Sequence, residues 1–189
     1  VVLFHGWCAG GARVVVRDDA SASSAARLLA LVERHAITVL QLPTAYFHEL
    51  THHLARGGRS IPGSVRVVVT GGERISRAAC ERFRIAAPEL RLLNAYGPTE
   101  VTITSTCFEL PSVVPATIPI GRPTGACRAH VVDRWGRIAP LGARGELTLS
   151  GPQVALGYLG RPSETAHSFG RRSVHSSQHD VYRSGDLVR

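Results

Sequence analysis

Three short runs of the sequence combine residue types that can hold a phosphorylated ligand. In Val67-Val68-Val69-Thr70-Gly71-Gly72-Glu73 an apolar run enters a double glycine. Two residues without Cβ let backbone approach a planar or phosphorylated group closely, although the same pair also makes an ordinary turn. Asn94-Ala95-Tyr96-Gly97-Pro98-Thr99-Glu100 offers an aromatic face for a base, a Gly-Pro turn that exposes backbone, a hydroxyl that can donate to a phosphate oxygen, and a carboxylate that can hold Mg²⁺. A plain Gly-Pro loop with polar residues remains the simpler alternative. In Tyr182-Arg183-Ser184-Gly185-Asp186-Leu187 a carboxylate beside a glycine can accept hydrogen bonds from both hydroxyls of a ribose, or merely follow a tight turn into a strand.

A fourth run proposes different chemistry. His48-Glu49-Leu50-Thr51-His52 has the spacing that puts two imidazoles on one helix face around zinc, with the glutamate as general base of a metallopeptidase. A catalytic zinc needs a third protein ligand, and His53 points about a hundred degrees away on the same helix. With 9 histidines in 189 residues such a match also arises readily by chance, so these are expected to be surface histidines.

The elements around these runs alternate. Ala26, Leu28, Leu29, Leu31 and Val32 recur at helical spacing within a predicted helix from Ala22 to Ala36, after a Ser-rich start that can cap it. Strands are expected over 37–42, 65–69 and 90–95, with helices from Pro43 to about Leu54 and from a Ser76 cap to Ala86. Such alternation implies crossover units and a parallel sheet. After about Glu109 the helical period gives way to interspersed proline and glycine, with short strands predicted over 128–133 and 146–150 and a turn at Arg134-Trp135-Gly136. Gly145-Glu146-Leu147-Thr148-Leu149-Ser150-Gly151 and the following Val154-Ala155-Leu156-Gly157-Tyr158-Leu159 both read as strand by alternation, and the Ser-, His- and Arg-rich segment from Arg171 to His179 as a mobile loop. The expected organisation is an α/β sheet subdomain over 1–110 and a small β-rich subdomain over 111–189.

Composition bounds the class. Hydrophobic residues make up 44% and charged residues 19%, enough to bury a core, while aromatics are only 6%, so the apolar content is mostly aliphatic. All 22 cationic side chains are arginine, so any step that needs a lysine must borrow one from elsewhere. The net charge of +8 would attract anions, but the arginines are scattered, Arg171-Arg172 being the only adjacent pair, and no basic run is interleaved with aromatics, so nucleic-acid binding is not expected. Cys8, Cys80, Cys107 and Cys127 form no C-x-x-C pair and read as small buried hydrophobes. No apolar run reaches membrane-spanning length and no signal-like stretch opens the chain, giving a cytoplasmic expectation without a membrane partner. The chain opens mid-pattern on Val1-Val2-Leu3-Phe4, so its boundaries read as cuts.

The ordered series G-G-E, N-A-Y-G-P-T-E, I-G-R-P, G-E-L-T-L-S-G, V-A-L-G-Y-L, R-P-S-E-T and Y-R-S-G-D-L resembles the adenylate-forming, AMP-binding enzymes, most closely amino acid adenylation domains of nonribosomal peptide synthetases. The resemblance implies part of the family's large N-terminal lobe and a two-step chemistry. An amino acid carboxylate attacks the α-phosphorus of ATP, and the aminoacyl adenylate is passed to the phosphopantetheine thiol of a carrier-protein domain. By resemblance Tyr96 would stack on adenine, and Gly71, Gly72, Glu73, Asn94 and Gly97 would line the nucleotide and substrate site. Thr99 would contact the α-phosphate, Glu100 would hold Mg²⁺, and Asp186 would bind the ribose. The amino acid pocket would be lined by Gln41, Val69, Gly71, Ala95, Ile103 and Thr104, with partners in the carrier domain and other synthetase modules. The family's phosphate loop with its lysine would precede this segment, as would the acidic residue that grips the substrate amino group. The lobe carrying the catalytic lysine would follow it. The segment alone is therefore expected to be inactive or nearly so, and a degenerate relic that binds no ligand is the remaining alternative. Ser184 stands where threonine is commoner, a mild change because the hydroxyl is kept.

Overall fold

The computed structural model describes residues 11–16, 23–174 and 177–189, the side chains of 172–178 excepted. The Val1–Phe4 opening, Cys8, Ala22 at the predicted helix start and residues 175–176 of the predicted loop lie outside the described residues. The described residues fall into two compact units, the first within 1–95 and 108–120, the second within 96–107 and 121–189.

In the first unit helices and strands alternate as α1 (Ala25–Arg34), β1 (Val39–Pro43), α2 (Thr44–Ala55), β2 (Val67–Gly71), α3 (Arg77–Ala86) and β3 (Arg91–Tyr96), whose last residue already belongs to the second unit. Ser24 caps α1 by accepting a hydrogen bond from the Arg27 N–H at 3.3 Å. The stripe Ala25, Leu28, Leu29 and Val32 is buried, the i, i+3, i+4, i+7 pattern of a helix with one face on a core. Helix α2 starts after Pro43, which lacks an N–H that a helix start would leave unused anyway.

The strands β1, β2 and β3 run parallel, with Gln41 opposite Val69 and Gly71 opposite Ala95. A strand's side chains alternate between faces, so this register sorts the sheet into two. Leu40, Leu42, Val68, Thr70, Leu92 and Asn94 are buried and join the helices in one core that includes Phe47, Leu50 and Phe83. Burying each large aliphatic or aromatic side chain there contributes roughly 1.5–3 kcal/mol. The other face carries Val39, Gln41, Pro43, Val67, Val69, Gly71, Leu93 and Ala95, none of them buried. Arg84 closes the unit by donating to the carbonyls of Pro88, Leu90, Leu110 and Pro111, tying the returning segment to the end of α3.

The second unit holds a short 3₁₀ helix (Thr99–Val101), the antiparallel pair β4 (Thr106–Glu109, of which Thr106 and Cys107 lie in this unit) and β5 (Arg122–Pro123), and a four-stranded antiparallel sheet. That sheet is ordered β6 (Arg128–Val132), β7 (Gly145–Ser150), β9 (Ser177–Val188), β8 (Phe169–Val174), with α4 (Pro162–Ser168) before β8. Its core includes Val132, Leu147, Leu149, Val181 and Tyr182.

Two expectations are corrected. The Arg171–His179 segment is not a loop in its described residues: it belongs to strands β8 and β9, paired from Phe169↔Tyr182 to Val174↔Ser177. β8 is an edge strand, where polar and charged side chains such as Arg171, ion-paired with Asp180, are the usual composition. Conversely, Val154–Leu159 forms no strand. Its backbone donors go elsewhere, Ala155 N–H to the Glu100 carbonyl at 2.8 Å and Tyr158 N–H to the Thr165 hydroxyl at 2.9 Å, and Gly157 has a φ of +146°. Cys80 and Cys127 are buried as expected, whereas Cys107 is half-buried.

Candidate functional site

In the first unit, β2 ends on Gly71, where an added Cβ would lie 2.1 Å from the Ala95 carbonyl oxygen. The two strand ends therefore approach as closely as they do only because position 71 has no side chain. Gly72 has a φ of +97°, the left-handed region that favours glycine. The Thr44 hydroxyl donates to the Glu73 carbonyl at 3.2 Å, which fixes the turn that follows the double glycine. Asn94 is buried, and its amide nitrogen donates to the Pro119 carbonyl at 2.9 Å. That bond anchors the amide's nitrogen to the returning segment and leaves its oxygen as the acceptor end. Gln41, Val69, Gly71 and Ala95 share the uncovered face of the sheet, Gln41 directly beside Val69 and Gly71 directly beside Ala95.

Tyr96, Gly97, Thr99, Glu100, Ile103, Thr104 and Asp186 belong to the second unit. The loop from Tyr96 to Ser105 closes on itself through Ser105 N–H to the Tyr96 carbonyl at 2.8 Å and Ile103 N–H to the Pro98 carbonyl at 3.2 Å. Within it Thr102 and Ile103 have φ of 52° and 75°, uncommon for β-branched residues, so the surrounding bonds hold a strained turn. The Tyr96 hydroxyl donates to Asp186 Oδ2 at 2.5 Å. Burial, then this hydrogen bond, pushes the Tyr96 phenol well above its ordinary pKa.

Asp186 reaches Tyr96 because β9 is irregular there. Thr148 pairs with Arg183 and Glu146 with Leu187, so the single residue Leu147 faces Ser184, Gly185 and Asp186. A bulge of this kind re-aims a side chain out of the regular alternation. Gly185 takes a φ of +75°, the Ser184 hydroxyl donates to the Leu147 carbonyl at 2.8 Å, and the Gly185 N–H donates to Glu146 Oε1 at 3.2 Å.

Glu100 is flanked by side chains that pattern reasoning on the motifs did not select. The Tyr158 hydroxyl donates to Glu100 Oε1 at 2.6 Å, and this bond holds the Glu100 carboxyl below the usual carboxylate range. Tyr182 is buried beside them, its phenol raised first by desolvation and then by its hydrogen bond with Tyr158. The ring of Phe169 lies 5.3 Å from that of Tyr158 and 5.1 Å from that of Tyr182. The available signal was the presence of both tyrosines inside ordered motifs, V-A-L-G-Y-L and Y-R-S-G-D-L. Their convergence on Glu100 is not visible in one dimension.

His48 and His52 lie on α2, and their rings are engaged by other partners. His48 Nε2 accepts a hydrogen bond from the Ser76 N–H at 3.1 Å, and His52 Nε2 faces an Arg82 guanidinium nitrogen at 3.3 Å. Among the described residues no group of three histidines, cysteines or carboxylates can hold a metal ion. Ser76 sits at the N-cap of α3 without a side-chain capping bond, so His48 serves that helix start from outside. Burial foremost, then Arg82, lowers the His48 pKa from 6.5, favouring the neutral ring that can accept. A folded value below the unfolded one means that this stabilisation is fully present above about pH 6.5 and is lost as pH falls through the folded value. His48→Ala is expected to cost about 1 kcal/mol in urea unfolding at pH 7. The loss of stability between pH 7 and pH 5 should be smaller in His48→Gln than in the wild type. Equal losses in the two proteins would refute this role of the ring.

A family model described as AMP-binding enzyme matches residues 1–159. The isonitrile lipopeptide synthase of Streptomyces coeruleorubidus is 42% identical over 99% of this chain and 12% of its own length. The malpibaldin synthetase of Mortierella alpina is 37% identical over 95% of this chain and 3% of its own length. Among solved structures, a nonribosomal peptide synthetase protein containing adenylation and PCP domains, bound to a vinylsulfonamide inhibitor, superposes with a TM-score of 0.80 at 26% identity, over 88% of this chain and 29% of that one. The chain thus spans only a small part of the curated relatives it matches. Among the described residues, no helix is long and apolar enough to cross a membrane.

Proposed function

Because the chain belongs to the AMP-binding enzyme family, we propose that it is the nucleotide-holding part of an amino acid adenylation domain. Such a domain joins an amino acid to AMP with release of pyrophosphate, then passes the aminoacyl group to a carrier-protein thiol. The observation that carries this reading is the Tyr96–Asp186 hydrogen bond, which brings an aromatic side chain and an exposed carboxylate together from positions 90 residues apart. An aromatic face suits an adenine base, and a carboxylate suits the two hydroxyls of its ribose.

The other residues take complementary roles. Thr99, exposed at the start of the 3₁₀ helix, presents a hydroxyl to a phosphate oxygen. Glu100 fits Mg²⁺ as a single, ionised carboxylate, since Mg²⁺ is commonly held by one or two carboxylates together with substrate phosphates and water. When bound, the cation supplies charge stabilisation for displacement at the α-phosphorus. Gly71, Gly72 and Glu73 border the substrate side, and the acceptor oxygen of Asn94 suits an exocyclic amine. For the substrate amino acid, the proposed contacts are Gln41, Val69, Gly71 and Ala95 on the uncovered sheet face of the first unit and, in the second unit, Ile103 and Thr104. The small Gly71 and Ala95 leave space, and the Gln41 amide and Thr104 hydroxyl can bond a polar side chain. One relative is named as a lipopeptide synthase, and the solved neighbour carries a PCP domain beside its adenylation domain, which supports a carrier-protein partner and other synthetase modules.

Calorimetric titration with ATP and Mg²⁺ tests the reading. Saturable binding is expected, weakened about tenfold in Tyr96→Ala by loss of base stacking and weakened less in Tyr96→Phe, which keeps the ring. Equal affinity in the wild type and Tyr96→Ala would remove the nucleotide assignment from this loop.

A further inference from the structure

Glu100 is connected, through two successive contacts, to a residue of helix α4 that touches no motif of the nucleotide loop. The Tyr158 hydroxyl donates to Glu100 Oε1 at 2.6 Å, and the Tyr158 backbone N–H donates in turn to the Thr165 hydroxyl at 2.9 Å. Thr165 uses both branches of its side chain. A Cβ added at Gly157 would lie 2.4 Å from its γ-methyl and 3.0 Å from its hydroxyl, so the chain before Tyr158 is pressed against Thr165 as closely as a glycine permits.

The same stretch is fastened to the Glu100 loop at two more points. The Ala155 N–H donates to the Glu100 carbonyl at 2.8 Å, and the Thr102 hydroxyl donates to the Gln153 carbonyl at 2.7 Å. The ring of Phe169 meets that of Tyr158 at 76°, which limits its swing. Residues 153–158 therefore form a splint along the 3₁₀ helix, with both the backbone and the carboxylate of Glu100 bonded to it.

We infer that Tyr158, oriented by Thr165, is a positioning residue that sets the Glu100 carboxylate for the cation of a bound nucleotide. The inference rests on the assignment of Mg²⁺ to Glu100 proposed above. A glutamate on a loop otherwise loses side-chain rotamer freedom when it binds a cation; a carboxylate already hydrogen-bonded in place loses less on binding. Tyr158 is the foremost donor and Tyr182 a lesser one, and together they still leave an ionised carboxylate further lone pairs for a ligand. This gives a function to the glycine–tyrosine pair in V-A-L-G-Y-L and to the threonine of R-P-S-E-T, whose spacing alone says only that they are near in sequence.

The test compares the wild type with Tyr158→Phe, Thr165→Val and Thr165→Ser. On the ligand-free protein, NMR relaxation of the Glu100 side chain is expected to show an ordered carboxylate in the wild type and Thr165→Ser, and a mobile one in Tyr158→Phe and Thr165→Val. A Glu100 side chain as mobile in the wild type as in Tyr158→Phe overturns the proposal, whether or not nucleotide binds. In calorimetry, Tyr158→Phe is expected to weaken ATP binding about tenfold with Mg²⁺ present while leaving the affinity measured in EDTA unchanged. An equal loss in both conditions would mean a general structural role and would also overturn it. Failure of the nucleotide reading itself looks different: Glu100→Gln would then bind ATP with Mg²⁺ as the wild type does.

Discussion

Gly97→Ala is expected to lower the melting temperature by roughly 6–12 °C and to weaken binding of ATP with Mg²⁺ by at least about tenfold. A Cβ at position 97 would lie 2.1 Å from the Ile103 carbonyl oxygen and 2.6 Å from the Ser105 nitrogen. Both are backbone atoms, so no side-chain rotation can relieve the overlap. The segment that would have to yield already carries two β-branched residues in the left-handed region, Thr102 and Ile103, and is held by the bond from Ser105 N–H to the Tyr96 carbonyl. Overpacking at such a site costs about 3 kcal/mol, and in a chain of this size each kcal/mol moves the melting temperature by roughly 2–4 °C. Affinity should fall with stability because Tyr96 and Glu100 flank the same turn. Thermal unfolding followed by circular dichroism checks the first effect, and a Gly97→Ala protein that melts with the wild type would show that the loop closes differently.

Asp186→Ala should cost the fold little beyond the Tyr96 hydrogen bond and remove much of the affinity for nucleotide. The side chain is exposed but accepts a hydrogen bond from the Tyr96 hydroxyl, worth about 1 kcal/mol, so the melting temperature is expected to fall by roughly 2–4 °C. Binding should suffer far more. Hydrogen bonds to a charged acceptor contribute about 1.5–3 kcal/mol each. Loss of two from a ribose, offset by water at an exposed site, is expected to cost about 3 kcal/mol, or roughly 150-fold in Kd. A sharper form of the measurement uses 2′-deoxy-ATP. The wild type should prefer ATP, and Asp186→Ala should bind both nucleotides alike. Retained discrimination in the variant would place the ribose somewhere other than against Asp186.

Much of the architecture was readable because the signals are local. The stripe Ala25, Leu28, Leu29 and Val32 marks α1 through its period alone, and the apolar runs around Leu40, Val68 and Leu92 mark the parallel strands. Sequence and structure part where a local pattern has two meanings. Alternation over 154–159 looks like a strand, but those residues spend their donors on Glu100 and Thr165. Polarity over 171–179 looks like a loop, but an edge strand tolerates the same composition once β9 satisfies its backbone. The helix predicted from Pro43 to about Leu54 is present as α2, while the partners of the histidines in its H-E-x-x-H run, Ser76 and Arg82, come from a different part of the chain.

Residue identity and order supply the chemical groups: glycines at Gly71 and Gly97, an aromatic ring at Tyr96, carboxylates at Glu100 and Asp186, and no lysine. These follow from residue type and short-range spacing, and they suffice to name a family. Which of these groups act together is fixed in three dimensions. Tyr96 meets Asp186 across 90 residues because a bulge in β9 turns the carboxylate toward it, and Glu100 meets Tyr158 across 58 because Thr165 and Phe169 fix that ring. The difference lies in the reach of each interaction. Backbone periodicity acts over a few residues, whereas a hydrogen bond or a ring contact needs only a few ångströms in space and is indifferent to the length of chain between its partners.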